Sequence, residues 1–253
     1  MADESARTWA AEQSADTRRQ LILSAMRLMA DRGIGGVSLR SVNAEAGARN
    51  SSAAHYHFGD KMGLVEAVVD FLAAQEAEWR APVMQRLRAR AVSETITVRD
   101  AVESAYLPFY GFFYHPEYRI SAIKFLSRLI VDTEPDMRVL ANRFIEPLAR
   151  DAYDAIAPLL PEIPEKLLKS RIQFSMINLI NGGSDAFAMS YSAFGDLSYE
   201  NPFELASHFM DYLVAGISAP VGVLDERFSA FCTDLVKTTQ STDAGSPGEA
   251  SAD

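Results

Sequence analysis

The sequence predicts an all-α fold with a small amino-terminal part and a larger helical part. Apolar residues recur at helical spacing along nearly the whole chain, and no segment alternates as a strand would. Glycine and proline breakers punctuate the pattern at helix-length intervals. Charge divides it again. The net charge is −10, yet residues 15–65 carry seven basic against four acidic side chains, leaving −13 on the rest.

The first helix is expected from about residue 16, with Leu21, Ile22, Ala25, Leu28 and Met29 on one face and a stop at Arg32-Gly33. GIGG (33–36) is a turn. Ser38 is a good N-cap for a short helix with Leu39, Val42 and Ala46 as its stripe, ended by Gly47. A second short helix is expected over about 49–56. Phe58-Gly59-Asp60 turns the chain, and Asp60 can cap a helix bearing Leu64, Val65, Val68, Val69 and Leu72. Later helices are expected at about 83–93, 98–114, 117–132, 136–158, 164–192, 203–218 and 224–237, with kinks at Pro108 and Pro147. Residues 1–14 read as a flexible arm and 238–253, poor in hydrophobics, as a disordered tail. The domains so expected are 15–72 and 73–237.

Bulk properties narrow the function classes. Hydrophobic content of 48% supports a core without disulfides, and the lone Cys232 cannot form one within the chain. A single cysteine fits a reducing, cytoplasmic setting. No apolar run approaches the roughly 20 residues needed to cross a bilayer, so no membrane role is expected. The acidic start MADESARTWAAEQSAD is unlike a signal peptide.

The stretch AEAGARNSSAAHYHFGDK (44–61) concentrates chemistry. His55 and His57 point about 200° apart on a helix, so they cannot share an ion there. With Cys232 alone and His115 and His208 distant, no metal site and no cofactor are expected. There is no nucleophile elbow or phosphate-cradling loop, hence no catalytic residue is assigned. Two short helices around a glycine turn instead match a helix-turn-helix. Val42, Ala46, Ala48 and Ala53 can pack the helices together, leaving Arg49, Asn50, Ser51, Ser52 and His55 exposed. Short polar groups with an arginine suit base edges and phosphates in a major groove. An ordinary helical hairpin would share this periodicity.

Residues from about 16 to 72 resemble the DNA-binding domain of the tetracycline-repressor (TetR) family of transcriptional regulators. The resemblance lies in Asp31-Arg32-Gly33, Val37-Ser38-Leu39-Arg40, Glu45-Ala46-Gly47, Tyr56-His57-Phe58 and Lys61 with Leu64, in that order and spacing. Two departures stand out. Asn43 replaces a residue that is more often small, and so needs a hydrogen-bond partner or exposure. The Gly47–Phe58 interval is one residue longer than in many members. The resemblance implies that Tyr56 and Lys61 meet the DNA backbone, with Ser38, Arg40, Arg18 and Arg19 as further contacts. Arg49, Asn50, Ser51, Ser52 and His55 are then the base-reading candidates, and His57 packs locally.

The larger part contains Tyr106, Phe109, Tyr110, Phe113 and Tyr114 at helical spacing, with Phe112, His115 and Tyr118 nearby. A core stripe explains this pattern. The resemblance adds an effector pocket lined by Tyr106, Phe109, Tyr110, Phe113, Phe125, Leu129, Phe174 and Met176, with Met189 a further candidate, for an apolar or aromatic ligand. It also implies a homodimer through the last long helices, with Gly182, Gly183, Phe187, Phe209, Leu213 and Ile217 in contact. The fold class expected is therefore all-α, an amino-terminal helix-turn-helix domain followed by a helical ligand-binding and dimerisation domain. Its function would be a repressor released from a palindromic double-stranded operator by a small molecule. Alternatives are a protein-binding adaptor on the same fold and an all-helical enzyme using His55, His57 or His115.

Overall fold

The computed structural model describes residues 2–48, 50–184, 186–222 and 226–243. They are helical, and among them there is no strand; one isolated bridge pairs Ser192 with Gly195. The chain divides into two compact units, Met1–Ser218 and Ala219–Asp253. The first holds α1 (Ala2–Arg32), α2 (Leu39–Glu45), α3 (Ala53–Phe58), α4 (Lys61–Ser93), α5 (Val98–Tyr106), α6 (Gly111–Tyr114), α7 (Arg119–Val131), α8 (Pro135–Ile156), α9 (Glu165–Ser184) and α10 (Pro202–Ser218). The second holds α11 (Glu226–Asp243).

Several boundaries differ from the sequence expectation, each for a local reason. The arm expected at 1–14 is helical from Ala2. That stretch has no glycine or proline, and its four alanines, two glutamates and one arginine favour a helix once a nucleus stands downstream. The helices expected either side of residue 80 are one, α4, running through Pro82. Pro82 and Glu78 are both exposed, so solvent can satisfy the carbonyl that loses its donor. The 98–114 helix is broken as expected at Pro108, where a 3-10 turn (Leu107–Tyr110) separates α5 from α6. Helix α9 stops at Ser184, and Ala186–Tyr191 continues as a 3-10 turn. Helix α11 reaches Asp243, past residue 238 where a tail was expected, and 244–253 lie outside the described residues.

The core of the first unit centres on α7, whose Ala122, Ile123, Phe125, Leu126 and Leu129 are fully buried. Helices α1, α8 and α9 pack around it. Contact between α1 and α7 ties the amino-terminal helices to the rest at two places. Arg128 donates from Nε to the Ala30 carbonyl (2.6 Å) and from Nη2 to that of Asp31 (3.1 Å), serving carbonyls left open at the end of α1. Near the other end of α7, Arg19 forms a forked ion pair with Glu117, one arm at 2.9 Å. Gly33, at φ +81°, makes the left-handed exit from α1 beside Arg128.

A second tie joins α4 to α8. Glu76 is 1% exposed, and Arg80 one turn later donates from Nε to both its oxygens at 3.0 Å. Arg80 also pairs with Asp151 of α8, which Arg88 reaches at 2.5 Å. Burial pushes the Glu76 carboxyl above its ordinary range, and the Arg80 guanidinium partly offsets this.

Candidate nucleic-acid interface

Helices α2 and α3 and the turn between them form the site. Ser38 caps α2: its Oγ accepts from the Ser41 amide (3.1 Å), and Ser41 Oγ accepts from the Ser38 amide (3.1 Å) in a reciprocal capping box. Gly47, at φ +62°, makes the left-handed turn that a side chain would strain. Helix α3 starts at Ala53, not near residue 49. Asn50 and Ser51 are therefore in the approach turn and Ser52 is the N-cap. The Ser52 amide donates to Asn50 Oδ1 (2.9 Å), a local Asx bond that stabilises the turn instead of a helix.

Asn43 holds the two helices in register. It is 5% exposed; its Nδ2 donates to the Ser51 carbonyl (2.5 Å), and its Oδ1 accepts from the Ala54 amide (2.9 Å). Asn43 thus bridges α2 to the start of α3, and its polar atoms are satisfied. Val42, Ala53 and Ala54 are buried beneath it, with Ala46 and Ala48 partly buried, as the packing reading required.

Around this frame lies a polar, exposed edge. Ser38, Arg40, Asn50, Ser51, Ser52, His55 and Tyr56 all face solvent, and Tyr56 is 81% exposed. Arg49 lies outside the described residues. Lys61 is half-buried, and its Nζ donates to the Gly35 carbonyl at 2.8 Å, pinning the loop before α2 to the start of α4. Asp60 caps that start by accepting from the Gly63 amide (2.9 Å). Arg18 is exposed, its guanidinium 5.3 Å from the centre of the Phe58 ring. Arg19 differs, being engaged by Glu117. His57 is half-buried against Tyr56 and Phe58; burial and then the nearby Arg18 charge lower its pKa, so it is neutral at neutral pH. This agrees with local packing.

The larger part is more closed than the pocket expectation requires. Tyr106, Phe109, Phe125, Leu129 and Met176 are core residues without surface exposure. Tyr106 Oη is bonded to Ser175 Oγ at 2.5 Å, and burial pushes the phenol well above its ordinary pKa. Tyr110 and Phe113 are half-buried and stacked on each other. Phe174 points outward, 65% exposed. An open cleft exists elsewhere, between α4, α5 and α6, with Trp79 among its lining residues.

Nor do all residues expected at a dimer interface face outward. Leu213 and Ile217 are buried against this chain's own core. A side chain at Gly183 would meet Phe113 at 2.9 Å, so this glycine serves an internal contact. Gly182 is exposed, its Cβ position 3.6 Å from a half-buried Phe209. The Phe187 side chain lies outside the described residues. The outward faces of α9 and α10 instead carry Phe174, Tyr212, Ala215 and Gly216, with Ile177 half-buried. Helical spacing predicts two apolar faces on these helices and cannot say which one the monomer uses.

Among the described residues no group of three metal-ligating side chains comes together, and no helix is long and apolar enough to cross a membrane. Residues 21–68 match the family model described as bacterial regulatory proteins, tetR family. Among solved structures, the chain is similar to a Rhodococcus sp. protein assigned to the TetR-family transcriptional regulators, at 20% identity and a TM-score of 0.53, covering 80% of this chain and 100% of that one. A Mesorhizobium loti MAFF303099 protein with the same assignment matches at 16% identity and 0.45, covering 83% and 98%. A SmeT–triclosan complex matches at 19% and 0.46, covering 83% and 98%. No curated protein sequence matches the chain.

Proposed function

We propose that this chain is a ligand-responsive DNA-binding transcriptional regulator of the tetR family of bacterial regulatory proteins, the family whose model residues 21–68 match. The observation that carries the reading is the exposed polar edge from Asn50 to Tyr56, held on a helix-turn-helix by the buried Asn43 bridge. Asn50, Ser51, Ser52 and His55 are the base-edge readers, at the amino-terminal approach of α3 where such helices meet a major groove. Tyr56, Ser38, Arg40, Lys61 and Arg18 contact phosphates. The regulator acts as a repressor: a bound small molecule favours a dimer whose two heads are misspaced on a palindromic operator.

Position and readout separate by mutation. Lys61→Ala is expected to weaken binding to every duplex alike and to lower the salt slope by about one. Asn50→Ala is expected to change the preferred sequence by about 1–3 kcal/mol at one position per half-site. Fluorescence anisotropy on matched and mismatched duplexes at several salt concentrations distinguishes them. Equal, sequence-independent losses from both would count against base reading by the approach turn.

Two copies pair through α9 and α10 in this reading. The outward Phe174, Tyr212, Ala215 and Gly216, with the half-buried Ile177, supply apolar surface with small residues for close approach. Tyr212→Arg places a charge in that face and is expected to give monomers by light scattering at micromolar concentration, with the helical circular dichroism retained. A dimer of unchanged stability would move the interface elsewhere.

A further inference from the structure

The cleft between α4, α5 and α6 encloses about 720 Å³, within the range of small-molecule sites. Its apolar wall is Trp79, Val83, Leu107, Pro108 and Tyr114. The placement of the indole depends on Gly111. A Cβ there would stand 2.6 Å from the Trp79 ring, so only glycine lets the indole lie flat against the α6 backbone. Trp79 also packs edge-on against Phe112 at 5.0 Å, which fixes it from behind. Tyr114 is 53% exposed at the rim and stacks on Phe203 of α10.

The polar side of the cleft carries more carboxylates than guanidiniums. Arg90 pairs with Glu94 and Asp100, both at 3.2 Å. Arg99 pairs with Glu103 at 2.9 Å and with Asp211. Among the described residues of this connected set, two guanidiniums serve four carboxylates, with the His208 ring 3.9 Å from Asp211. Asp100 and Glu103 line the cleft itself beside Arg90 and His115, Asp100 held by Arg90 and Glu103 by Arg99. A carboxylate excess beside the negative faces of Trp79 and Tyr114 selects for positive charge twice, by Coulomb attraction and by cation–π contact. An anion would meet both unfavourably.

We propose that this cleft binds a flat aromatic organic cation, its ring against Trp79 and its positive centre towards Glu103. The site lies outside the filled core where the aromatic residues of the sequence first suggested a pocket. As a place of binding it stands on the cleft alone; as the effector site it rests on the regulatory reading above.

Isothermal calorimetry on the full chain tests it with N-methylquinolinium, neutral quinoline and 2-naphthalenesulfonate, three probes of similar shape. The cation is expected to bind once per chain, about tenfold or more tighter than quinoline, with no binding by the sulfonate. Glu103→Gln should weaken the cation and leave quinoline unchanged. Gly111→Ala, which drives the indole out of place, and Trp79→Ala should weaken both. Circular dichroism melts identify any variant that fails to fold, and the surface substitution Glu103→Gln keeps the test decisive if the other two do. Quinoline or the sulfonate binding as tightly as the cation would overturn the proposal. So would cation binding that survives both Glu103→Gln and Trp79→Ala. DNA binding without probe is measured separately: its absence removes the regulatory reading and leaves the calorimetric result for the cleft intact.

Discussion

Asn43→Leu is expected to reduce affinity for an operator duplex by about five- to a hundredfold, although Asn43 touches no DNA in this account. Leucine keeps much of the volume but removes both hydrogen bonds. The Ala54 amide, on a fully buried residue, then loses its partner. An unsatisfied buried amide costs about 1–3 kcal/mol, and α3 can relieve it only by moving away from α2. Such movement displaces Ser52, His55 and Tyr56 together, so matched and mismatched duplexes should both suffer. Anisotropy gives the affinity; amide hydrogen exchange should show faster opening in 50–58 with α8 and α9 unchanged. Near-normal binding by a folded Asn43→Leu protein would mean that the bridge does not set the orientation of α3.

Arg80→Met should produce the largest loss of stability. It leaves Glu76, 1% exposed, without its bidentate partner, and releases Asp151 from one of two guanidiniums. Removing one member of a buried pair typically costs about 3–5 kcal/mol. The pH dependence has a definite sign. Burial raises the Glu76 carboxyl in the folded chain, and loss of Arg80 raises it further. A group raised on folding contributes stability that is fully present below its unfolded pKa, about 4.3, and is lost as pH rises through the folded value. The variant's deficit should therefore be smaller at pH 5 than at pH 8. Adding Glu76→Leu to Arg80→Met should restore most of the stability, because the buried charge is then gone. Urea denaturation at the two pH values measures all of this, and a pH-independent deficit in the single variant would remove Glu76 from the explanation.

Local patterns make much of the fold legible. Ser38 and Asp60 are caps whose side chains act within three residues, and Gly33 and Gly47 stand where left-handed backbone is needed. Proline is less reliable: Pro108 breaks a helix and Pro82 does not. The difference depends on exposure of the carbonyl one turn back, a tertiary property. Helix α3 starts later than its sequence suggests because Arg49-Asn50-Ser51 has acceptable helix propensity. The Asx bond and the Asn43 bridge override it.

The larger part is less legible, since a pocket stripe and a core stripe look alike along a helix. Tyr106 and Phe125 close the core, whereas Phe174 and Tyr212, equally aromatic, face out. The Trp79–Gly111 contact joins residues 32 apart in sequence, and neither announces the other. Glu76 and Arg80 do leave a signal. They sit one turn apart on the face that carries Leu72, Met84 and Leu87, an unusual place for two charges unless they pair.

Selection of bound duplexes from a random pool by the full chain, at low salt, tests the central claim most directly. The account predicts enrichment of a pseudo-palindrome whose half-sites are separated by one helical turn or a multiple of it, and loss of enrichment as salt rises. A pool that stays random through successive rounds at low salt, with a folded protein, would contradict DNA reading by this helix-turn-helix.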